Sequence, residues 1–167
     1  MIIDTHCDTL TKIFDNNQNL YENNFHIDLN RLMKFTPFCQ VFACFIAPEH
    51  RSFAKKYALD AFSYFFKELD KNSHCINQIR SFSDYEKTIK ENKIGAILSI
   101  EGGEAIEEIS DIELFYNLGV RIITLTWNHD NKIASGVLGS SSCGVTDFGK
   151  EVINTLGKYK MVIDVSH

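Results

Sequence analysis

The sequence predicts a parallel α/β sheet, on three observations. Five short apolar runs, at residues 1–5, 38–46, 94–100, 120–127 and 161–165, are mostly rich in Val, Ile and Phe and show little polar alternation, as strands covered on both faces do. Segments with helical spacing lie between them, and strands alternating with helices form a parallel sheet. No internal repeat, low-complexity tract or Pro/Gly/Ser-rich linker interrupts the 167 residues, so they read as one continuous unit, long enough for one domain with a core and too short for two ordinary ones.

Taken in order, the first strand ends in a polar cluster, and residues 15–37 are polar and irregular, hence loop with little helix. The run 38–46 is flanked by Pro37 and Pro48, the only prolines. Phe53, Tyr57, Ala61, Phe62, Phe65, Phe66 and Leu69 recur at spacings of three and four and make one face of a helix over 51–70. Ile112, Phe115, Tyr116 and Leu118 mark a shorter helix closed by Gly119. Residues 128–145 read as a long loop. Phe148, Val152, Ile153 and Leu156 mark a last helix, with Thr146 as N-cap and Gly157 just past its end. Two topologies compete, an open doubly wound sheet and a (β/α)8 barrel. No Gly-rich loop follows the first strand, against the dinucleotide-binding form of the open sheet, and five strands are too few to close a barrel of eight.

Composition narrows the function classes. With 44% hydrophobic and 23% charged residues the chain is globular in type, and thirteen Phe imply generous apolar burial or apolar surface awaiting a cover. A net charge of −5 argues against nucleic acid or an anionic membrane surface as partner. Asp4 and His6 interrupt any signal-peptide apolar stretch, and no apolar run approaches the roughly 20 residues of a membrane helix. Five cysteines, odd in number and without a CxxC, fit reduced thiols in the cytoplasm.

The chemistry-bearing residues cluster after the strands. In IIDTHCDTL, Asp4, His6 and Asp8 share a side of an extended chain. An imidazole and a carboxylate at neighbouring same-side positions suit a divalent ion such as zinc, while the alternative has Asp4 and Asp8 capping the turn and His6 packing. In ILSIEGGEAI, Glu101 follows a buried run, where a carboxylate is costly unless paired or metal-bound, or else it sits in water at a strand end. Gly102 and Gly103 permit a sharp turn and close approach. His167 follows MVIDVS in the same way. Each signal is modest alone, but metal-competent residues after three separate strands favour a metal site of His6, Asp8, Glu101 and His167. His129, in ITLTWNHDN, is a candidate for substrate binding or an ordinary loop residue, and Trp127 is wall. Asp130 and Asp164 are possible partners for an imidazole, with nothing to select them.

With DTHCD, SIEGGEAI, GVRIITLTWNHDN, GVTDFGKEVINTLGK and IDVSH in this order, the sequence resembles the membrane (renal) dipeptidase family of zinc peptidases along its whole length. The resemblance implies an α/β fold that is an incomplete (β/α)8 TIM-type barrel of about the first five strands. It implies two zinc ions, with His6 and Asp8 on one, His167 on the other and Glu101 bridging as the catalytic carboxylate. The implied reaction is hydrolysis of dipeptides, often with a D-residue second, and in some members of β-lactams. Where some members carry a substrate-contacting histidine this chain has Trp127, with His129 two places on as the substrate-binding candidate. Family members continue past the strand-five histidine with a further zinc histidine, an arginine and an aspartate. Residues 1–167 are therefore read as the N-terminal portion of one hydrolase barrel, inactive alone and ordered only with a complementary segment or by self-association. The rivals are a related amidohydrolase or phosphoesterase barrel, which usually carries His-x-His where Asp8 stands here, and a non-catalytic remnant or interaction module.

Overall fold

A computed structural model describes residues 2–140 and 143–167. Its strands are β1 (Ile2–Cys7), β2 (Phe38–Phe45), β3 (Ile76–Gln78), β4 (Ile94–Glu101), β5 (Val120–Thr124) and β6 (Val162–Asp164). Its helices are α1 (Thr9–Asp15), α2 (Leu29–Leu32), α3 (Ala54–Lys71), α4 (Phe82–Lys90), α5 (Ser110–Leu118) and α6 (Asp147–Lys158). The strand order is β1-β2-β4-β5-β6, with β3 paired to β4. The pairs β1 with β2, β3 with β4 and β5 with β6 all run parallel. By contacts the chain divides into Met1–Cys44 with Leu59–Leu98, and Phe45–Ala58 with Ser99–His167.

In the first unit β2 supplies the core. Its residues are buried on both faces, as the unalternating run predicts, and the Phe42 ring lies 4.9 Å from that of Phe65 on α3. The polar stretch 15–37 still carries buried anchors, Leu20 and Leu29. Glu68, buried on α3, holds this stretch: its carboxylate accepts from the Leu20 backbone N–H at 2.8 Å and from Lys71 Nζ at 2.6 Å. Asp28 caps α2 by accepting from the Arg31 backbone N–H at 2.8 Å.

In the second unit Ile122 to Thr124 of β5 pair with Val162 to Asp164 of β6. Thr146 caps α6, accepting from the Gly149 N–H at 2.9 Å while its hydroxyl donates to the Lys132 carbonyl at 2.6 Å. Gly119 ends α5 at a φ of 100°, as the sequence predicts. Asp111, buried on α5, accepts from the Glu107 and Glu108 N–H groups and pairs with Lys55, whose ammonium that hydrogen bond holds above its usual range.

Several elements differ from the expectation. The sequence predicts five strands and the structure adds β3, whose three residues are too few for a periodic signal. It also adds α1 and α4, and α6 runs through Gly157 to Lys158. β1 is not covered on both faces, since Ile2 and Ile3 are exposed, as is Val162 on β6. These two strands close the ends of the strand order, where a single neighbour leaves more side chain in water. No helix among the described residues is long and apolar enough to cross a membrane.

Two substitutions test the reading of α6. Thr146→Ala removes the cap and is expected to lower unfolding free energy by about 1–2 kcal/mol. Gly157→Ala, where an added Cβ meets nothing within 4 Å, should raise it by about 0.5–1 kcal/mol. Urea titrations followed by circular dichroism measure both, and a neutral or destabilising Gly157→Ala would contradict the helical assignment of Gly157.

Candidate metal centre

The first unit places His6 and Asp8 where β1 gives way to α1. Between Asp4 and Cys7 the register slips, three steps on β1 facing two on β2 (Asp4 opposite Gln40, Cys7 opposite Phe42). Such a bulge re-aims side chains at a strand end. Asp4 holds the bulge, its Oδ1 accepting from the His6 backbone N–H at 3.1 Å. Asp8 occupies the N-cap position of α1, yet its side chain makes no cap bond. It faces His6 instead, with Oδ1 3.2 Å from His6 Nε2. The capping alternative thus holds for Asp4 in part and fails for Asp8. Cys7 between them is buried, and burial pushes its thiol up to about 12, so it stays protonated at neutral pH.

The second unit brings Glu101 and His167 together. Glu101 closes β4 with 9% of its surface exposed, and its carbonyl accepts from the Ile46 N–H at 2.9 Å. Gly102 turns the chain at a φ of 98°, a conformation that side chains disfavour. Gly103 then passes so close to the end of β5 that an added Cβ would lie 2.7 Å from the Leu125 carbonyl oxygen and 2.4 Å from Ile133 Cδ1. His167 Nε2 stands 3.5 Å from Glu101 Oε1, and its Nδ1 3.0 Å from Asn128 Oδ1. Asp164 shapes the turn before His167, accepting from Thr124 Oγ1 at 2.7 Å and from the Ser166 N–H and Oγ at 2.9 and 2.7 Å.

The separations test whether these residues suit a divalent ion. Two ligands at about 2.0–2.2 Å from a tetrahedral zinc lie roughly 3.3–3.6 Å from each other. The His167–Glu101 pair, at 3.5 Å, has that spacing, the His6–Asp8 pair, at 3.2 Å, lies just under it, and both offer the nitrogen-and-oxygen chemistry a borderline ion takes. The fit is good for each pair.

His129 is exposed, its ring 6.3 Å from that of Trp127. It borders a cleft of about 390 Å³ with Arg51, Asp130 and Leu138. Trp127 is wall, as predicted, packing edge-on against Phe45 at 5.1 Å and lying 6.1 Å from the His167 ring. Asn128 and Asn131 are the residues that sequence reasoning misses. Asn131 builds the loop after β5, donating to the Leu125 carbonyl at 2.8 Å and accepting from the Ile133 and Ala134 N–H groups. An asparagine in a polar loop looks like any other in sequence, and its only signal is its place directly after a buried strand.

Paired histidine and carboxylate groups thus stand at or just past the carboxyl ends of parallel strands, where α/β barrels place their functional residues. The profile of the family Membrane dipeptidase (Peptidase family M19) matches residues 1–167, and the chain belongs to this family. It is similar to a protein of Acinetobacter calcoaceticus described as "Uncharacterized protein in PQQ-III 3'region", with 28% identity over 85% of this chain and 53% of that one. Among solved structures it resembles a metallo peptidase from Rhodobacter sphaeroides liganded with a phosphinate mimic of the dipeptide L-Ala-D-Ala (TM-score 0.86, 20% identity, 99% of this chain, 58% of that one). It also resembles "dipeptidase AC" (TM-score 0.85, 20% identity, 99% and 56%). The fold is accordingly α/β, part of a TIM-type barrel, and the chain spans about half the length of these relatives.

Gly103→Ala tests the close approach beneath Glu101. Overpacking against a backbone carbonyl is expected to lower stability by about 1–3 kcal/mol, read from thermal unfolding. An unchanged melting temperature would show that the turn has room the distances deny.

Proposed function

We propose that this chain carries the metal-binding half-site of a zinc dipeptidase. The observation that carries the reading is the ligand-like spacing of both histidine–carboxylate pairs in a member of the dipeptidase family. In this reading His6 and Asp8 would hold one zinc, His167 would contribute to holding a second, and Glu101 would serve both, as the catalytic carboxylate. Zinc held there would supply polarisation of the scissile carbonyl and a water made nucleophilic at neutral pH. Burial of Glu101 keeps its charge effective by limiting competing water. The exposed imidazole of His129, beside its cleft, is proposed to contact the dipeptide, and the ligand of the Rhodobacter relative makes L-Ala-D-Ala a first substrate to try.

Calorimetric titration of the metal-free chain with Zn²⁺ is expected to show saturable binding, weakened at least about tenfold by Asp8→Ala or His167→Ala. Zinc should raise the melting temperature, because a ligand that binds only the folded state stabilises it, by about 2.7 kcal/mol at a hundred times its dissociation constant. Chelator should reverse the gain. The protein carrying this chain should release free alanine from L-Ala-D-Ala in a chelator-sensitive way and leave an aryl phosphodiester intact. Phosphodiester cleavage without amide cleavage would favour the phosphoesterase alternative, and absence of zinc binding would remove the basis of the hydrolytic reading.

A further inference from the structure

We propose that Asn128 is a positioning residue that fixes the tautomer of His167 and so presents Nε2 as the metal-binding nitrogen. The inference rests on the reading of His167 as a ligand and adds to it the residue that makes it one.

The argument starts from what each atom can do. A neutral imidazole has one N–H and one lone-pair nitrogen. The amide oxygen of Asn128, 3.0 Å from His167 Nδ1, can only accept. With the amide in this orientation, a neutral ring carries its proton on Nδ1 and keeps the lone pair on Nε2. In that tautomer the lone pair points at the Glu101 carboxylate oxygen 3.5 Å away, and a cation held between the two would be attracted by both.

Asn128 is equipped to hold this position. Its carbonyl accepts from the Leu138 N–H at 2.7 Å, and the Val137 N–H donates to the His167 carbonyl at 2.8 Å. One short stretch of loop thus ties down both partners by backbone alone. Gly136 lies flat on the same peptide, where an added Cβ would fall 2.6 Å from the Trp127 carbonyl oxygen and 2.7 Å from the Asn128 carbonyl carbon. The His167 backbone is set at a φ of 65°. The backbones that carry the amide and the imidazole are therefore both held before any ion arrives, and the Asn128–His167 contact orients the ring, which is how outer partners raise the affinity of a histidine ligand.

The test uses the whole 167-residue chain and has two readouts. Long-range ¹H–¹⁵N spectra of the metal-free wild type, at a pH where the ring is neutral, should show the His167 proton on Nδ1. A proton on Nε2 would overturn the proposal. Zinc titrations then compare Asn128→Leu, which removes the acceptor, with Asn128→Asp, which keeps it. Asn128→Leu should weaken binding about 10–100-fold, and Asn128→Asp should restore it to wild-type strength or better. Equal affinities for Asn128→Leu and wild type would refute the positioning role while His167→Ala still weakened binding. Were His167→Ala also silent, the failure would lie in the ligand assignment itself.

Discussion

A carboxylate that keeps only 9% of its surface, at the end of a strand buried almost throughout, needs positive charge close by or must give up its own. Much of the second unit is arranged around that demand at Glu101. Its backbone is held by Ile46, the two glycines after it turn the chain away at once, and an imidazole nitrogen stands 3.5 Å from its carboxylate. A histidine alone answers the demand only when it is protonated. A divalent ion answers it with a neutral ring, and the Asn128 oxygen, 3.0 Å from the far nitrogen, is placed to accept the N–H of that ring.

The end of β5 is where these requirements meet. The Leu125 carbonyl accepts from the Gly103 N–H at 3.3 Å and from the Asn131 side chain at 2.8 Å. One carbonyl thereby joins the turn below Glu101 to the loop whose first residues flank His167. The same loop returns at Thr146, which both ties to Lys132 and starts α6. Irregular backbone at 128–140 and 143–145 is thus satisfied by side chains such as Asn131 and by other backbone groups of the same loop, as buried polar groups require.

Much of this is legible in the sequence, unevenly and for physical reasons. The runs at 38–46 and 94–100 locate β2 and β4 within a residue of their ends, because strands covered on both faces have nowhere to put polar residues. The run at 120–127 overshoots β5, which ends at Thr124; Leu125 still donates to Asp164 but lies past the regular ladder. α4 escapes because only Thr88 in it is buried and Phe82 faces water, so no apolar stripe announces it. Its Ser81-x-x-Asp84 cap is the signal that was there to use. At the site, residue type and position after a strand mark out His6, Asp8, Glu101 and His167 as candidates, and the structure sets them in two close pairs, His6 with Asp8 and Glu101 with His167. Type and position do not reveal that Asp8 withholds its side chain from its helix, or that an amide oxygen stands against the His167 ring. Those are properties of side-chain direction, which periodicity does not encode.

The loop tip at Val137 and Leu138 shows a division of labour with an evolutionary side. Both residues serve the centre through main-chain N–H groups, while their side chains stand 68% and 65% exposed. Any non-proline residue offers the same N–H, so the lettering of the tip can drift while its grip on His167 and Asn128 persists. A rim of this kind lets a lineage retune what its surface meets without disturbing the reactive core, and it offers a protein engineer two positions to randomise at little structural risk.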